Sequence, residues 1–257
     1  MNQNLSYIHP SAKIAPNVVI DPFVTIEGNV EIGEGTHICS HVTIMDGARI
    51  GKNCTIFPGA VISAIPQDLK FKGEETLAII GDNTTIRECV TVNRGTASKG
   101  KTVVGDNCLL MAYCHVAHDT IVGNNVIMSN ATQLAGEVVV DDFAVIGGGT
   151  LVHQFCHIGS HVMVQGGSLV NKDIPPYVTA ARLPISYAGI NSVGLRRRGF
   201  TIDTIREIQD VYRYLFQMDL NNTDALERIE SELPATKERD GIITFVRNSK
   251  RGIIKEN

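Results

Sequence analysis

VGDNCLLMAYCHVAHDTIVGNNVIMSNATQLAGEVVV, residues 104–140, carries an aliphatic side chain at every sixth position: Val104, Leu110, Val116, Val122, Met128, Leu134 and Val140. A period of six fits neither the 3.6 of an amphipathic helix nor the 2 of an alternating strand. It predicts a short strand, a corner and another short strand, with the aliphatic pointing inward. Four positions after it stands a small or β-branched residue, such as Cys108, Cys114, Thr120, Val126 or Thr132, suited to a tighter inner slot.

Outward from this stretch the pattern continues through Ile146, Val152, Ile158 and Val164 to Val170 in one direction. In the other it is regained at Val92, Ile86 and Ile80, and then runs as isoleucine at every sixth residue from Ile62 back to Ile8. Hexapeptide periodicity on this scale is the signature of a parallel β-helix. Gly often follows the aliphatic directly, as in Ile32-Gly33, Val104-Gly105 and Ile158-Gly159. Gly and Asn near a corner are expected to supply unusual backbone angles.

Two segments break the pattern. Residues 63–79 contain PQDLKFKGEET and residues 93–103 contain RGTASKGK, and both lack the inward aliphatic. They are predicted to be loops thrown out from the solenoid, where functional residues tend to concentrate. The solenoid is expected to end near Asp173-Ile174-Pro175-Pro176, because paired prolines cannot donate ladder hydrogen bonds. Beyond a connector the period turns helical: Ile202, Ile205, Ile208, Val211, Tyr212 and Leu215 form a stripe behind Thr201, a candidate cap. A second helix is predicted near Thr223, stopped by Pro234, and a third over Ile242–Val246. The domain reading is a β-helix over 1–176 with insertions near 63–79 and 93–103, and a connector with a small helical domain over 177–257.

Composition agrees with a large buried core: 43% of the 257 residues are hydrophobic, with 24 glycines and no Trp. A net charge of −4 argues against nucleic acid as the main partner. No apolar run is long enough to span a membrane. MNQNLSYIHP at the start has neither a basic segment nor an apolar run, so a cytoplasmic location is expected. Of six cysteines, Cys54, Cys108, Cys114 and Cys156 occupy the inner slot and none forms a CxxC pair, so buried thiols are expected rather than disulfides or a zinc site.

The chemistry centres on Ala112–Ile121. With three hexads per coil, residues 18 apart stack, so His118, Gly136 and Gln154 form one column, His115 lies under Gln133, and Asp119 lies under Glu137. A histidine that can take a proton near neutral pH, a glycine N–H able to approach an oxyanion and an amide then line one edge. That set suits acyl transfer, although a histidine on a solenoid edge is more often a packed or solvated residue.

Several segments together carry a family resemblance: Pro66-Gln67-Asp68-Leu69-Lys70, IRECVTVNRGT (86–96), HVAHD (115–119), VHQFCHIGSHVMV (152–164), DIPPYV (173–178) and GLRRRGF (194–200). The chain resembles the UDP-N-acetylglucosamine acyltransferase family of lipid A biosynthesis, over nearly its whole length. The resemblance implies the left-handed form of the β-helix and transfer of an (R)-3-hydroxyacyl chain from acyl carrier protein to the sugar 3-hydroxyl. It implies His118 as general base, Asp119 as its orienting partner and the Gly136 N–H as oxyanion donor. His115 and Gln154 would contact the acyl chain or its hydroxyl, and His153 the sugar nucleotide. Asp68 and Lys70 would bind the sugar or the carrier's phosphopantetheine arm. Asn191, Arg197 and Arg198 would hold the uridine diphosphate, and the basic cluster would also suit an acidic carrier. Gly166 would leave the acyl cleft open for a long chain. A homotrimer is implied, with no metal and no cofactor beyond the phosphopantetheine of the donor.

Two residues depart from the family pattern. Glu137 replaces a common histidine and stacks beside Asp119, which would disfavour joint ionisation. Val193 replaces a common acidic ribose contact. The alternatives are an amino-sugar N-acyltransferase of the same fold, a γ-type carbonic anhydrase using His115, His118 and His153 on zinc, and a non-catalytic scaffold.

Overall fold

A computed structural model describes residues 5–256; residues 1–4 and 257, included in the predicted domain ranges, lie outside it. Each hexad forms a strand of mostly two residues, and successive strands fall in turn on three flat faces. The faces hold nine, eight and ten strands. Within a face the strands are parallel and residues 18 apart are partners, as in His115↔Gln133 and Gln133↔Leu151. The inward isoleucines and valines from Ile26 to Val170 are sealed from water and stack into one continuous core. Each fully buried aliphatic contributes roughly 1.5–3 kcal/mol. Inner-slot threonines are satisfied by carbonyls of the next coil, as in Thr36 Oγ1 to Gly51 O at 2.9 Å and Thr84 Oγ1 to Gly105 O at 2.7 Å.

The corners use Gly and Asn for positive φ as expected, among them Gly35, Gly59, Gly149 and Gly167, but in one particular slot. The left-handed residue of each hexad stands three positions after the inward aliphatic: Asn53, Asn83, Asn107, Tyr113, Asp119, Asn125, Glu137 and Phe155 all have positive φ. That geometry turns its N–H back to the preceding coil, as in Glu137 N–H to His118 O at 3.0 Å. The glycine directly after the aliphatic is there for space. A Cβ on Gly51 would lie 2.3 Å from Asp82 Oδ1, and one on Gly33 would lie 2.7 Å from the Gly51 carbonyl carbon.

Both insertions leave the solenoid at the corner that follows the first face, here called the first corner. The sheet claims their predicted ends: strands Val61–Ala64, Leu77–Ile80, Thr91–Asn93 and Lys101–Val104 leave only 65–76 and 94–100 outside. Register partners are 30 residues apart across the first loop (Val61↔Thr91) and 24 across the second (Leu77↔Lys101). The coils thus swallow whole hexads, and the inward phase survives.

The prolines at 175–176 do not end the sheets where the sequence reading put the end. Val178–Ala181 adds to the third face in parallel, and Ser186–Ile190 folds back antiparallel to it. The connector therefore holds two strands and a short helix, α1 (Ser192–Arg197). Three helices follow: α2 (Ile202–Phe216), capped by Thr201 as expected, α3 (Asn222–Glu232) and α4 (Lys237–Asn248), longer than predicted because Thr236 caps it. Tyr212 buries its ring and donates to Pro176 O at 2.6 Å. The C-terminal segment returns to the last coil, where buried Asp173 accepts from Ser249 Oγ at 2.6 Å and His157 N–H at 2.8 Å. None of the helices among the described residues is long and apolar enough to cross a membrane.

Candidate active site

His118 and Asp119 occupy the first corner, two and three positions after the inward Val116. Asp119 has φ +60, a conformation that a short polar side chain tolerates, and this folds its carboxylate back beside the preceding ring. His118 Nδ1 lies 2.9 Å from Asp119 Oδ2. The aspartate side chain is fully buried, while the histidine keeps 12% of its surface exposed.

The second loop closes over this carboxylate. Thr96 N–H (3.0 Å) and Lys99 N–H (3.2 Å) donate to Asp119 Oδ1, and Thr96 Oγ1 donates to Oδ2 at 2.6 Å. At this point in the corner ladder the Asp119 N–H donates instead to Thr102 Oγ1 at 2.9 Å. Burial opposes the carboxylate charge, but the hydrogen bonds from Thr96, His118 and Lys99 outweigh it and hold the group below its ordinary range. An ionised Asp119 accepts from Nδ1–H, so Nε2 carries the lone pair. Nε2 makes no hydrogen bond among the described residues and is not sealed from solvent.

One coil along, Gly136 lies flat against the ring. A Cβ there would be 2.7 Å from both His118 Cε1 and Nε2. At the second corner the equivalent N–H groups are capped by side chains of the next coil, as in Lys52 N–H to Asp82 Oδ1 and Asn124 N–H to Asp142 Oδ1, both 2.7 Å. The Gly136 N–H has no acceptor among the described residues. Gln154 follows in the same column. The corner thus combines a proton acceptor fixed by a buried carboxylate, a glycine N–H free to bond an anion, and an amide.

His115 is half-buried on the first face with Nδ1 at 2.7 Å from Thr91 Oγ1. Burial, and then the neighbouring His118, push it below the ordinary histidine range, so it is neutral near pH 7. His153 is exposed, its Nδ1 3.0 Å from Gln154 O. Within one chain His115, His118 and His153 do not converge as a metal site: their Nδ1 atoms bond three different groups, and the described residues with metal-holding geometry are elsewhere. Asp68 and Lys70 share a turn on the first loop, where Lys70 N–H donates to Asp68 Oδ1 at 2.9 Å. Both loops therefore leave the corner that bears His118.

The remaining predicted residues lie on another edge. Gly166 is exposed at the third corner, two residues after the inward Val164, and is not brought beside His118 within one chain. Asn191 caps α1: Oδ1 accepts from Gly194 N–H at 3.2 Å and Nδ2 donates to His161 O at 2.9 Å. Its amide is therefore committed at both ends to holding the arginine-bearing helix. Arg197 is exposed. Arg198 is half-buried with its guanidinium 5.4 Å from the Phe143 ring centroid, and Nη1 is buried without a partner.

Lys99 links Asp119 and Glu137, the pair for which joint ionisation was expected to be disfavoured: its Nζ donates to the main-chain O of Asp119 at 3.2 Å and lies 4.0 Å from Glu137 Oε2. Thr91, Thr96, Lys99 and Thr102 were not singled out from sequence. Thr96 and Lys99 lie on the second loop and Thr91 meets His115 across it, where the 18-residue register no longer applies, while Thr102 follows the loop. The visible signals were Thr91 and Thr96 in IRECVTVNRGT and Lys99 in RGTASKGK.

Comparison with known proteins gives the same family along the whole chain. The model described as UDP-N-acetylglucosamine O-acyltransferase, domain 2, matches residues 173–254. A bacterial transferase hexapeptide model matches 101–136, and the GMPPB C-terminal domain model matches 2–103. An acyl-[acyl-carrier-protein]–UDP-N-acetylglucosamine O-acyltransferase of Sulfurihydrogenibium is 55% identical, covering 97% of this chain and 94% of the relative. The one from Trichlorobacter lovleyi is 50% identical, covering 96% and 97%. Among solved structures, a UDP-N-acetylglucosamine acyltransferase from Bacteroides fragilis superposes with a TM-score of 0.97 at 56% identity, over 99% of this chain and 100% of that one. The Francisella novicida enzyme gives 0.95 at 41%, over 98% and 93%.

Proposed function

The chain belongs to the UDP-N-acetylglucosamine O-acyltransferase family, and from that premise we propose a mechanism in which His118 is its general base. The fold is a left-handed parallel β-helix of hexapeptide repeats with a small C-terminal helical part. The enzyme is an acyltransferase that moves an acyl chain from acyl carrier protein to UDP-N-acetylglucosamine, the first step of lipid A biosynthesis.

His118 Nε2 removes the proton from the sugar 3-hydroxyl. The oxygen attacks the thioester carbonyl carbon of an (R)-3-hydroxyacyl carrier protein. The tetrahedral oxyanion accepts from the Gly136 N–H, a donor already oriented and free of other acceptors. Collapse breaks the carbon–sulfur bond, and the proton on Nε2 passes to the departing phosphopantetheine thiolate. Asp119 holds the ring in the productive tautomer and balances the imidazolium that forms. The observation that carries this reading is the bare Nε2 of a histidine whose Nδ1 is fixed on a buried, hydrogen-bonded carboxylate.

His115 and Gln154 line the acyl path and His153 the sugar-nucleotide side. Asp68 and Lys70 reach the sugar or the phosphopantetheine arm, and Arg197 and Arg198 take the diphosphate, with Asn191 holding their helix. Gly166 belongs to the acyl cleft and favours a long chain. Because it and the arginines sit on a different edge from His118, the cleft is completed by a neighbouring copy in a homotrimer. Exposed Leu151 and Leu169 on the first face, beside the His118 corner, supply apolar surface for that contact. A cytoplasmic location fits these substrates, and the enzyme needs no cofactor beyond the donor's phosphopantetheine.

Acyl transfer from hydroxyacyl carrier proteins of several chain lengths, with wild type and His118→Ala compared, tests the reading. Turnover by wild type and a loss of about 100-fold or more in the variant are expected. Turnover unaffected by His118→Ala would move the base elsewhere. Turnover on an amino sugar alone would move the acceptor.

A further inference from the structure

Far from the His118 corner, the third face gathers a second set of donor side chains on its first two strands, Val19–Ile20 and His37–Ile38. Asp21 follows the inward Ile20, and His37 and Cys39 flank the inward Ile38, so all three side chains point outward. One ligand atom from each lies within 4.8 Å of those of the other two. His37 Nε2 is 3.2 Å from Asp21 Oδ2. Yet Nε2 makes no hydrogen bond, with that carboxylate or any other group, and the atom itself is closed off from solvent. The equivalent pair on the second face, His157 and Asp141, closes to a hydrogen bond at 2.9 Å, whereas His37 and Asp21 stay 3.2 Å apart without one, a spacing that a shared ion could fill.

We propose that Asp21, His37 and Cys39 form a binding site for a borderline-soft divalent cation of the zinc class, clipping the first two coils together on the third face. The donor set of one carboxylate, one imidazole and one thiolate is that of such ions, whereas magnesium and calcium prefer oxygen alone. Tetrahedral bonds of about 2.0–2.2 Å to nitrogen and oxygen place those two atoms about 3.3–3.6 Å apart, close to the His37–Asp21 separation of 3.2 Å. Three protein ligands leave the fourth position to water.

The backbone holds the donors in place before any ion arrives. Asp21 N–H donates to Ile38 O at 2.9 Å, His37 N–H to Cys54 O at 2.8 Å and Cys39 N–H to Ile56 O at 2.9 Å. The His37 and Asp21 side chains are 41% and 37% exposed, so the site lies at the surface and a small side-chain rotation opens Nε2 to an ion. Cys39 is also set apart from Cys54, Cys108, Cys114 and Cys156, whose sulfurs fill inner slots and contact carbonyls. A cation displaces the thiol proton as it binds.

The test uses the full-length protein, stripped with a chelator and titrated with zinc against a competing chromophoric chelator, as wild type, Cys39→Ser and His37→Gln. One equivalent per chain is expected for wild type, with affinity lower by about 100-fold or more in each variant. Cobalt in place of zinc is expected to give a thiolate-to-cobalt charge-transfer absorption that Cys39→Ser removes. Circular dichroism checks that the variants keep the β-helix, and their acyl transfer without added metal is expected to match wild type. The absence of stoichiometric zinc would overturn the proposal. So would zinc binding that Cys39→Ser leaves unchanged, since the ion would then sit at other histidines, or bound cobalt without the thiolate band.

Discussion

At the scale of single residues the active corner depends on tight contacts made by small groups. Gly136→Ala would set a methyl 2.7 Å from His118 Nε2, so the ring must swing. A misplacement on the order of 1 Å costs about 100-fold, and a loss of that size in kcat is expected with the fold intact by circular dichroism. Thr96→Val keeps shape but removes the hydroxyl that donates to Asp119 at 2.6 Å. It is expected to destabilise the chain by about 1–3 kcal/mol in denaturant titration, and to lower kcat more than it raises KM. Because the folded Asp119 titrates below its ordinary value, its stabilising contribution is fully present above about pH 4. It is lost as pH falls through the folded value. The stability difference between wild type and Asp119→Asn is therefore expected to shrink on acidification below that point.

Among the elements, the seam between α1 and the solenoid is expected to be pH-sensitive. His161 stacks on Phe143 at 4.8 Å and Tyr177 at 5.6 Å, and meets the edge of Phe200 at 5.0 Å. Burial and then Arg198, with Asp142 opposing, bring His161 down from 6.5 to about 4. Between those values the unfolded chain binds a proton that the folded chain refuses, so stability is fully present above about pH 6.5 and falls toward pH 4. Denaturant midpoints at pH 7 and pH 5 are expected to differ more for wild type than for His161→Phe. An equal drop in both proteins would place the acid-sensitive group elsewhere. The loops obey a different rule: they are tolerated because the chain they add spans whole hexads, so the inward aliphatics after each loop regain their slots.

For the whole molecule the question is whether one chain holds a complete cleft. His118, Gly136 and Gln154 share the first corner, whereas Gly166 lies at the third and Arg197 on α1. His118→Ala and Arg197→Ala, each assayed alone, are expected to be nearly inactive. Unfolded together and refolded as a mixture, they are expected to regain activity, because mixed trimers contain clefts with both residues intact. Recovery absent from mixtures shown by mass to contain both variants would mean that each chain works alone.

How much of this was legible before folding depends on distance along the chain. The six-residue period, its inward side chains, the corner holding His118 and Asp119, and the stripe of α2 were all readable, because each arises from neighbours within a hexad or a helical turn. The stacking of His115 on Gln133 followed from a constant 18-residue repeat. Contacts across the second loop did not. There the register jumps to 24, so Thr91 meets His115 and Thr96 meets Asp119 at separations that no fixed period predicts. Lys99, which joins the Asp119 main-chain carbonyl to Glu137, is delivered by the same loop. The grouping of Asp21, His37 and Cys39 likewise needed side-chain directions as well as register. The sequence by itself determined the coil, since periodic burial of aliphatics is a property of the covalent spacing. Only the tertiary structure decided which polar groups the loops deliver to the corner, since a loop's path is set by the contacts it makes after the coils have closed.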